Sequence, residues 1–108
     1  MLSVHTTNHI PQSQLDAYLE AFRPAWEGLT QEPNCRFFDL FSAPDPTDSN
    51  IEILRSVQVW DDTSEEWIKN ELTHKPYVLP FLESTKHMLV RRSPNEIFER
   101  KEGWCAVR

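Results

Sequence analysis

Apolar residues along this chain follow two spacings, and the shorter spacing predicts strands. Residues 2–8 (LSVHTTN), 35–42 (CRFFDLFS) and 51–60 (IEILRSVQVW) are rich in β-branched and aromatic side chains. A further short strand is predicted at residues 96–100 (EIFER). The polar, proline-containing stretch 43–50 is expected to be a loop, so the second and third strands should pair antiparallel.

The longer spacing, in steps of three and four, predicts amphipathic helices. Ser13 and Asp16 resemble a capping box, and apolar residues then recur from Leu15 to Leu29. Pro24 lies within this stretch and is expected to kink the helix or to split off its last turn.

A second helical stretch follows the third strand directly. Thr63 and Glu66 resemble another capping box. Pro76 disfavours helical backbone at the residue before it, so a break is expected at residues 73–75. Pro76 itself is expected to begin a further short helix that runs through Leu82.

The resulting order, strand, helix, strand, strand, helix, strand, is that of a ferredoxin-like α+β domain, and the 108 residues suit one such domain. The second strand carries Phe37 and Phe41 on one face and Phe38 and Leu40 on the other. Helices cover only one face of this fold, so the other apolar face needs a second cover. An identical sheet is the simplest cover, and we therefore expect a homodimer.

The charge balance narrows the choice of partners. The chain has 11 Lys and Arg against 17 Asp and Glu, a net charge of -6, and no basic patch, which argues against nucleic acid and anionic membranes. No apolar run approaches the ~20 residues of a membrane span, and the first eleven residues do not resemble a signal peptide. A cytoplasmic location is the expectation.

Cysteine usage and the chain end complete the outline. Cys35 and Cys105 lie far apart without the spacing of a zinc site, so two free thiols are expected and no structural metal. The end of the chain, with Trp104, Cys105 and Val107, is unusually apolar and is expected to pack against something.

The stretch from residue 53 to residue 82 gathers the most suggestive chemistry. Trp60 ends a strand, Trp67 begins a helix, and His74 lies at the expected helix break. The two indoles could stack on a flat ligand, and an imidazole of unperturbed pKa ~6.5 could act as a base at neutral pH. The alternatives are that both tryptophans only pack in the core and that His74 is an ordinary surface histidine.

Several sequence segments together resemble the antibiotic biosynthesis monooxygenase superfamily of dimeric α/β-barrel proteins. The resemblance is carried by a proline-led first helix ending in FRPAW, by EPNCRFFDLF, by VQVW followed by DDTSEEW with its W-x(6)-W spacing, by the KPY helix start, and by EIFER. It implies a barrel of two sheets with a pocket between sheet and helices in each subunit. Related members include oxygenases that use neither metal nor flavin, haem-degrading oxygenases and polyketide cyclases, and the fold does not choose among them.

The resemblance also bears on individual residues. Asn8 resembles the asparagine with which haem-degrading and quinone-forming members bind a carbonyl or bound oxygen, although an Asn at a strand end also suits a turn. His5 could point into a pocket or into a dimer interface. Tyr77 could donate a hydrogen bond from its hydroxyl, and Arg55 could stabilise an anion.

The function expected from the sequence is a cofactor-free oxygenation of an electron-rich aromatic substrate. The chain has no glycine-rich nucleotide loop, metal spacing or nucleophile motif, so electrons for dioxygen would come from a phenol, anthrone or hydroquinone. His74 would remove the proton, while Asn8 and the aromatic residues would hold the substrate. A non-oxidative cyclase, a ligand-binding domain and a haem enzyme are the alternatives.

Overall fold

Backbone hydrogen bonds join the strands into one antiparallel sheet in the computed structural model, which describes residues 1–106. The elements are β1 (Leu2–Pro11), α1 (Leu15–Thr30), β2 (Cys35–Asp45), β3 (Asp48–Trp60), α2 (Glu65–Asn70), α3 (Leu79–Thr85), β4 (Arg91–Arg92) and β5 (Glu96–Glu99). Short 3₁₀ turns lie at Gln12–Gln14, Leu72–His74 and Lys86–Met88. The predicted ferredoxin-like α+β order is confirmed, with the last strand in two pieces.

The centre of the sheet is the long pairing of β1 with β3. Their register runs from Leu2 opposite Trp60 to Pro11 opposite Ile51, and β2 pairs with the other edge of β3. The sheet order is β2-β3-β1-β4, with β5 also paired to β1. Residues that face each other across the ladder share one face, so the register fixes which side chains meet the helices.

The β2–β3 connection is tighter than the sequence indicated. A loop was expected at residues 43–50, but β2 continues to Asp45 and β3 begins at Asp48. The Asp45 carboxylate accepts hydrogen bonds from the Thr47 N–H and from the Thr47 hydroxyl, both at 2.8 Å. This side-chain turn closes the hairpin in two residues, which lets the ladder extend through the polar segment.

The edge of the sheet beside β1 is interrupted. β4 places Arg92 opposite Asn8, and β5 places Glu96 opposite His5, so residues 93–95 lie opposite only Thr6 and Thr7. Pro94 has no N–H to donate to the ladder. The mismatch makes a bulge, a feature that bends a strand and redirects its side chains. The sequence did not predict β4, because two residues carry no periodicity.

Helix boundaries differ from expectation by small steps. α1 runs unbroken through Pro24, so its last turn is not split off. No side-chain cap begins α1, whereas Ser64 rather than Thr63 caps α2, with its hydroxyl accepting from the Trp67 N–H at 3.1 Å. Pro80, not Pro76, lies in the first turn of α3.

The helices cover one face of the sheet, and the core lies between the two layers. Trp60 and Ala25 are fully buried in this core. The buried apolar side chains of the core are Val4, Ala25, Leu29, Phe38, Trp60, Ile68, Leu72 and Val78. Phe38 is 6% exposed on this side, while Phe37 and Phe41 are 42% and 53% exposed on the other. The prediction of a strand with two apolar faces is therefore confirmed.

The end of the chain does not pack in the way the sequence suggested. Trp104 is 90% exposed and Cys105 is also exposed, while Val107 lies outside the described residues. The described part of the tail therefore contributes little to the core. Among residues 1–106, no helix combines the length and apolar character that crossing a membrane requires.

Candidate active site

A cavity of about 190 Å³ lies between the covered face of the sheet and the helices. Most of its wall is apolar, with Phe22 from α1, Phe38 from β2 and Phe81 from α3 supplying aromatic surface. Polar side chains are confined to Tyr18, to the sheet that forms the floor, and to the rim. The floor residues are Thr6, Asn8, Ser56 and Gln58, and the rim residues are Lys69, Thr73, Arg92 and Asn95. A flat apolar ligand with one or more polar groups fits such a wall.

The polar floor begins with a hydrogen bond from Trp60. The indole Nε1–H donates to Gln58 Oε1 at 3.0 Å, and both side chains are buried. An indole N–H can only donate, so the Gln58 carbonyl oxygen must face Trp60. The amide nitrogen of Gln58 therefore faces the other way, toward Ser56.

The chain of donors continues from Gln58 to Thr6. Gln58 Nε2 donates to Ser56 Oγ at 3.3 Å, and Ser56 Oγ lies 2.5 Å from Thr6 Oγ1. Either hydroxyl can donate to the other, so this contact uses one of their two hydroxyl hydrogens. The other hydrogen is available to a ligand in the cavity, which both side chains line.

Asn8 and Tyr18 add a second donor beside this row. Asn8 Nδ2 donates to the Tyr18 hydroxyl at 3.3 Å, which leaves the Tyr18 O–H hydrogen free. Burial raises the pKa of Tyr18, against smaller lowering effects from Asn8 and from the charge of Arg92. Tyr18 therefore stays a neutral phenol at physiological pH and remains a donor.

The arrangement is suited to binding an oxygen that carries negative charge. The Ser56–Thr6 pair, Tyr18 and the second N–H of Gln58 offer donors held in place by neighbouring side chains. In an apolar cavity such fixed donors interact with an oxyanion more strongly than water-exposed donors do. Within residues 1–106, no three His, Cys, Asp or Glu side chains are grouped as metal ligands.

His74, the expected base, does not line the cavity. It lies on the exposed surface at the 3₁₀ turn after α2, where its Nδ1 is 2.8 Å from the Asn70 carbonyl oxygen. This contact places the ring back against the last residue of α2. The cavity therefore gives no support to the hypothesis that His74 takes a proton from a bound substrate, which stays a prediction.

The two tryptophans pack with each other and form no wall of the cavity. Their ring centres are 5.7 Å apart, and Lys75 lies over the Trp67 ring at 5.9 Å. Trp60 is fully buried and reaches the site only through its bond to Gln58. Direct stacking of Trp60 or Trp67 on a ligand is not supported, because the core already occupies both rings.

Tyr77 is a structural contact between α1 and the segment before α3. Its hydroxyl donates to Glu32 Oε1 at 2.5 Å, and its ring lies on Gly28 so closely that a Cβ there would meet ring carbons at 2.5 Å. Glu32 also pairs with Lys75 at 3.0 Å. The Tyr77 hydroxyl is thus engaged outside the cavity and is not free for a substrate.

His5 and Arg55 lie on the uncovered face of the sheet, opposite the cavity. His5 packs edge-on against Phe98, and Arg55 Nε donates to Thr7 Oγ1 at 3.2 Å. The register places His5 opposite Val57 and Thr7 opposite Arg55 on this face. Of the seven site residues expected from the sequence, Asn8 is the one that lines the cavity.

The floor residues carried a signal that the sequence reading missed. On β3, Ser56 and Gln58 lie between Leu54 and Trp60 on the same buried face, so polar side chains lie on the face that the helices cover. Polar residues on a covered face need partners or a cavity. Tyr18 lies within the apolar stripe of α1, and its hydroxyl likewise needs a partner.

Comparison with known proteins bears on the fold. A solved structure from Nitrosomonas europaea, named "Putative antibiotic biosynthesis monooxygenase", has a TM-score of 0.72 at 16% identity, and the match covers 93% of this chain and 98% of that one. One of the same name from Deinococcus radiodurans has a TM-score of 0.72 at 14% identity over the full length of both chains. The chain has the fold of the antibiotic biosynthesis monooxygenases. The resemblance predicted from its sequence segments is confirmed in this respect.

A sequence relative points the same way. A Pestalotiopsis microspora protein named "Putative monooxygenase" is 24% identical over 102 residues, which cover 94% of this chain and 81% of that protein. No protein-family model matches the chain. At these identities the antibiotic biosynthesis monooxygenase likeness establishes the fold, and the chemistry has to be argued from the cavity.

The Tyr77–Glu32 bond predicts a pH-dependent stability. The Tyr77 hydrogen bond, and to a lesser extent Lys75, lowers the pKa of Glu32 in the folded state. A carboxyl with a lowered pKa stabilises the fold above its unfolded pKa of about 4.5 and loses that contribution as the pH falls through its folded pKa. We expect Glu32→Gln to reduce the free energy of unfolding by about 1 kcal/mol at pH 7.

Urea unfolding across the acid range measures this effect. The curves of wild type and Glu32→Gln should converge as the pH falls below about 4.5. Glu20→Gln, at an exposed position on α1, is the control and should follow wild type at every pH. A constant gap between wild type and Glu32→Gln down to strongly acid pH would contradict this role.

Proposed function

We propose that this protein is a cofactor-independent monooxygenase that oxidises a phenol, anthrone or hydroquinone of polyketide type in secondary metabolism. The proposal rests on one observation. A row of hydrogen-bonded side chains, Trp60, Gln58, Ser56 and Thr6, which we call the donor row, ends in a cavity with aromatic walls. The apolar wall suits the rings of such a substrate, and the donors suit its oxygen. The likeness to proteins named monooxygenases supports the same choice.

The chemistry starts from the ionised substrate. Thr6, Gln58 and Tyr18 bind the phenolate or enolate oxygen, which lowers the pKa of the bound substrate and so favours loss of its proton to water. The carbanion form passes one electron to dioxygen, and the resulting superoxide joins the carbon radical. For an anthrone, the hydroperoxide then loses water, so CH₂ and O₂ become C=O and H₂O.

No protein base has to be placed in this scheme. Among the cavity-lining residues that the structure describes there is no His, Asp or Glu. Ionisation therefore depends on stabilising the anion rather than on a nearby acceptor for the proton. The protein contributes orientation, exclusion of water and a set of fixed donors.

Oxygen consumption tests the proposal. Purified protein is incubated with anthrones, naphthohydroquinones and polyhydric phenols, with oxygen uptake and product both followed against the uncatalysed rate. We expect catalysed uptake with one oxygen atom in the product and one in water. No uptake above background with any of these substrates would remove the oxygenase proposal.

Two variants connect the activity to the donor row. Thr6→Val keeps the shape of the side chain but removes the terminal hydroxyl, and we expect kcat/KM to fall about 10- to 100-fold, as for loss of an oxyanion donor. His74→Ala is the matched control and should leave the rate within twofold, because His74 lies on the surface. The reverse pattern would contradict the site.

The absence of a base from the described cavity wall also favours a second candidate, a domain that binds the same aromatic ligands without converting them. Tight binding without turnover of either oxygen or substrate would support it. Conversion of substrate without oxygen uptake would instead indicate a cyclase or aldol-type enzyme, since the same donors can stabilise an enolate.

We further propose that the protein works as a homodimer through the uncovered sheet face. Phe37, Phe41 and Phe98 are 42%, 53% and 52% exposed there, and Val57 and Val59 lie among them in the register. An exposed apolar surface on a sheet face indicates a contact with another protein surface. A second copy supplies a face of matching character, as the two-sheet barrel of the resembled superfamily implies.

Analytical ultracentrifugation tests the dimer. Wild type should sediment at about twice the 12.7 kDa of one chain. Phe41→Lys should shift the mass toward the monomer, because a charge would be buried without a partner. Leu79→Lys replaces a similarly exposed apolar residue on α3 and should leave the dimer intact. A monomeric wild type at micromolar concentration would contradict the proposal.

A further inference from the structure

A second recess adjoins the cavity at the bulged edge of the sheet. It has a volume of about 420 Å³ and is lined by Lys69, Arg92, Ser93, Pro94 and Asn95, and we call it the vestibule. Lys69, Arg92 and Asn95 line both spaces, so the vestibule adjoins the cavity at these three side chains. A ligand that spans both spaces would pass them.

The bulge explains how Arg92 comes to lie at this boundary. Arg92 is opposite Asn8 in the register and shares its face, and Asn8 lines the cavity. The Ser93 N–H still donates to the Thr7 carbonyl oxygen at 3.2 Å, and residues 94–95 then leave the ladder before β5 resumes the pairing at Glu96. This break lies two residues from Arg92, at the edge where the vestibule is lined by Pro94 and Asn95.

The charge of this boundary is opposite to that of the chain. The protein carries 17 acidic residues against 11 basic ones, yet no Asp or Glu appears among the described residues that line the cavity or the vestibule. Lys69 contacts Glu65 at 3.5 Å in an exposed i,i+4 pair, which holds it weakly. The Arg92 side chain has no hydrogen-bond or ion-pair partner among residues 1–106, whereas the side chain of neighbouring Arg91 contacts His9 and Asp45.

We infer that the vestibule binds a carboxylate carried by the substrate, with Arg92 and Lys69 as the recognising cations and Asn95 beside them. A planar guanidinium matches a carboxylate with two parallel hydrogen bonds, and the lysine adds a second positive charge. The ligand is then an aromatic acid, with its ring oxygen on the donor row and its carboxylate at the vestibule. This inference rests on the proposed function for the placement of the ring, but not on any reaction with oxygen.

Calorimetric titration with a matched pair of probes tests the inference. The probes are 6-hydroxy-2-naphthoate and its methyl ester, which share the ring and the phenol and differ in the charge at the far end. We expect wild type to bind the acid at least tenfold more tightly than the ester, with the preference falling as ionic strength rises. Equal affinities would overturn the carboxylate site.

Variants assign the preference to the two cations. Arg92→Gln should weaken binding of the acid about tenfold, Lys69→Gln should weaken it several-fold, and both should leave the ester within twofold. Both residues lie at exposed positions, and Lys69→Gln tests the site separately should Arg92→Gln fail to fold. Lys86→Gln, whose lysine lies outside both cavities and pairs with Glu83, is the charge-matched control.

The outcomes separate this inference from the proposed function. An acid preference that Arg92→Gln abolishes supports the vestibule even where no oxygen is consumed. Equal loss with Arg92→Gln and Lys86→Gln, or equal loss for acid and ester, shows a general charge effect and overturns it. Oxygen uptake with neutral substrates and no acid preference would keep the oxygenase and remove the vestibule site.

Discussion

The indole of Trp60 is the constraint from which the proposed site follows. Its single N–H must donate, and it lies in a core where Gln58 Oε1 is its acceptor. This bond fixes the Gln58 amide, and the amide nitrogen donates to Ser56. Ser56 and Thr6 then share one hydroxyl hydrogen and leave the other for the cavity. A core residue thus orients the donors that face the cavity.

The two faces of the sheet carry different kinds of side chain and have different proposed roles. One face carries the donor row beneath the helices, with Tyr18 and Phe81 packed edge to face at 5.3 Å over it. The other face exposes phenylalanines that a single chain does not cover. The bulge at residues 93–95 interrupts the sheet edge beside β1, and these residues line the vestibule next to the cavity.

Element order, the two-faced β2 and the superfamily resemblance could be predicted, because strand composition and helical spacing are local signals. The sequence could not place the side chains of His74, Tyr77 and Arg55 relative to the cavity. The direction of each side chain depends on where a helix ends or on the strand register, and composition leaves both uncertain by one or two residues. Asn8 was identified through resemblance. Gln58 and Thr6 were missed because their role arises from a ladder pairing between segments fifty residues apart, and Arg92 because two-residue β4 has no pattern.

The ionisation of a bound chromophoric phenol, such as 4-nitrophenol, tests the central claim most directly. Its absorbance is titrated against pH with the protein in excess and compared with the free phenol. A donor row that stabilises an oxyanion predicts a pKa lower when bound than when free, with the difference reduced in Thr6→Val. A bound pKa equal to or above the free value would show that the cavity favours the neutral phenol, and would contradict the account.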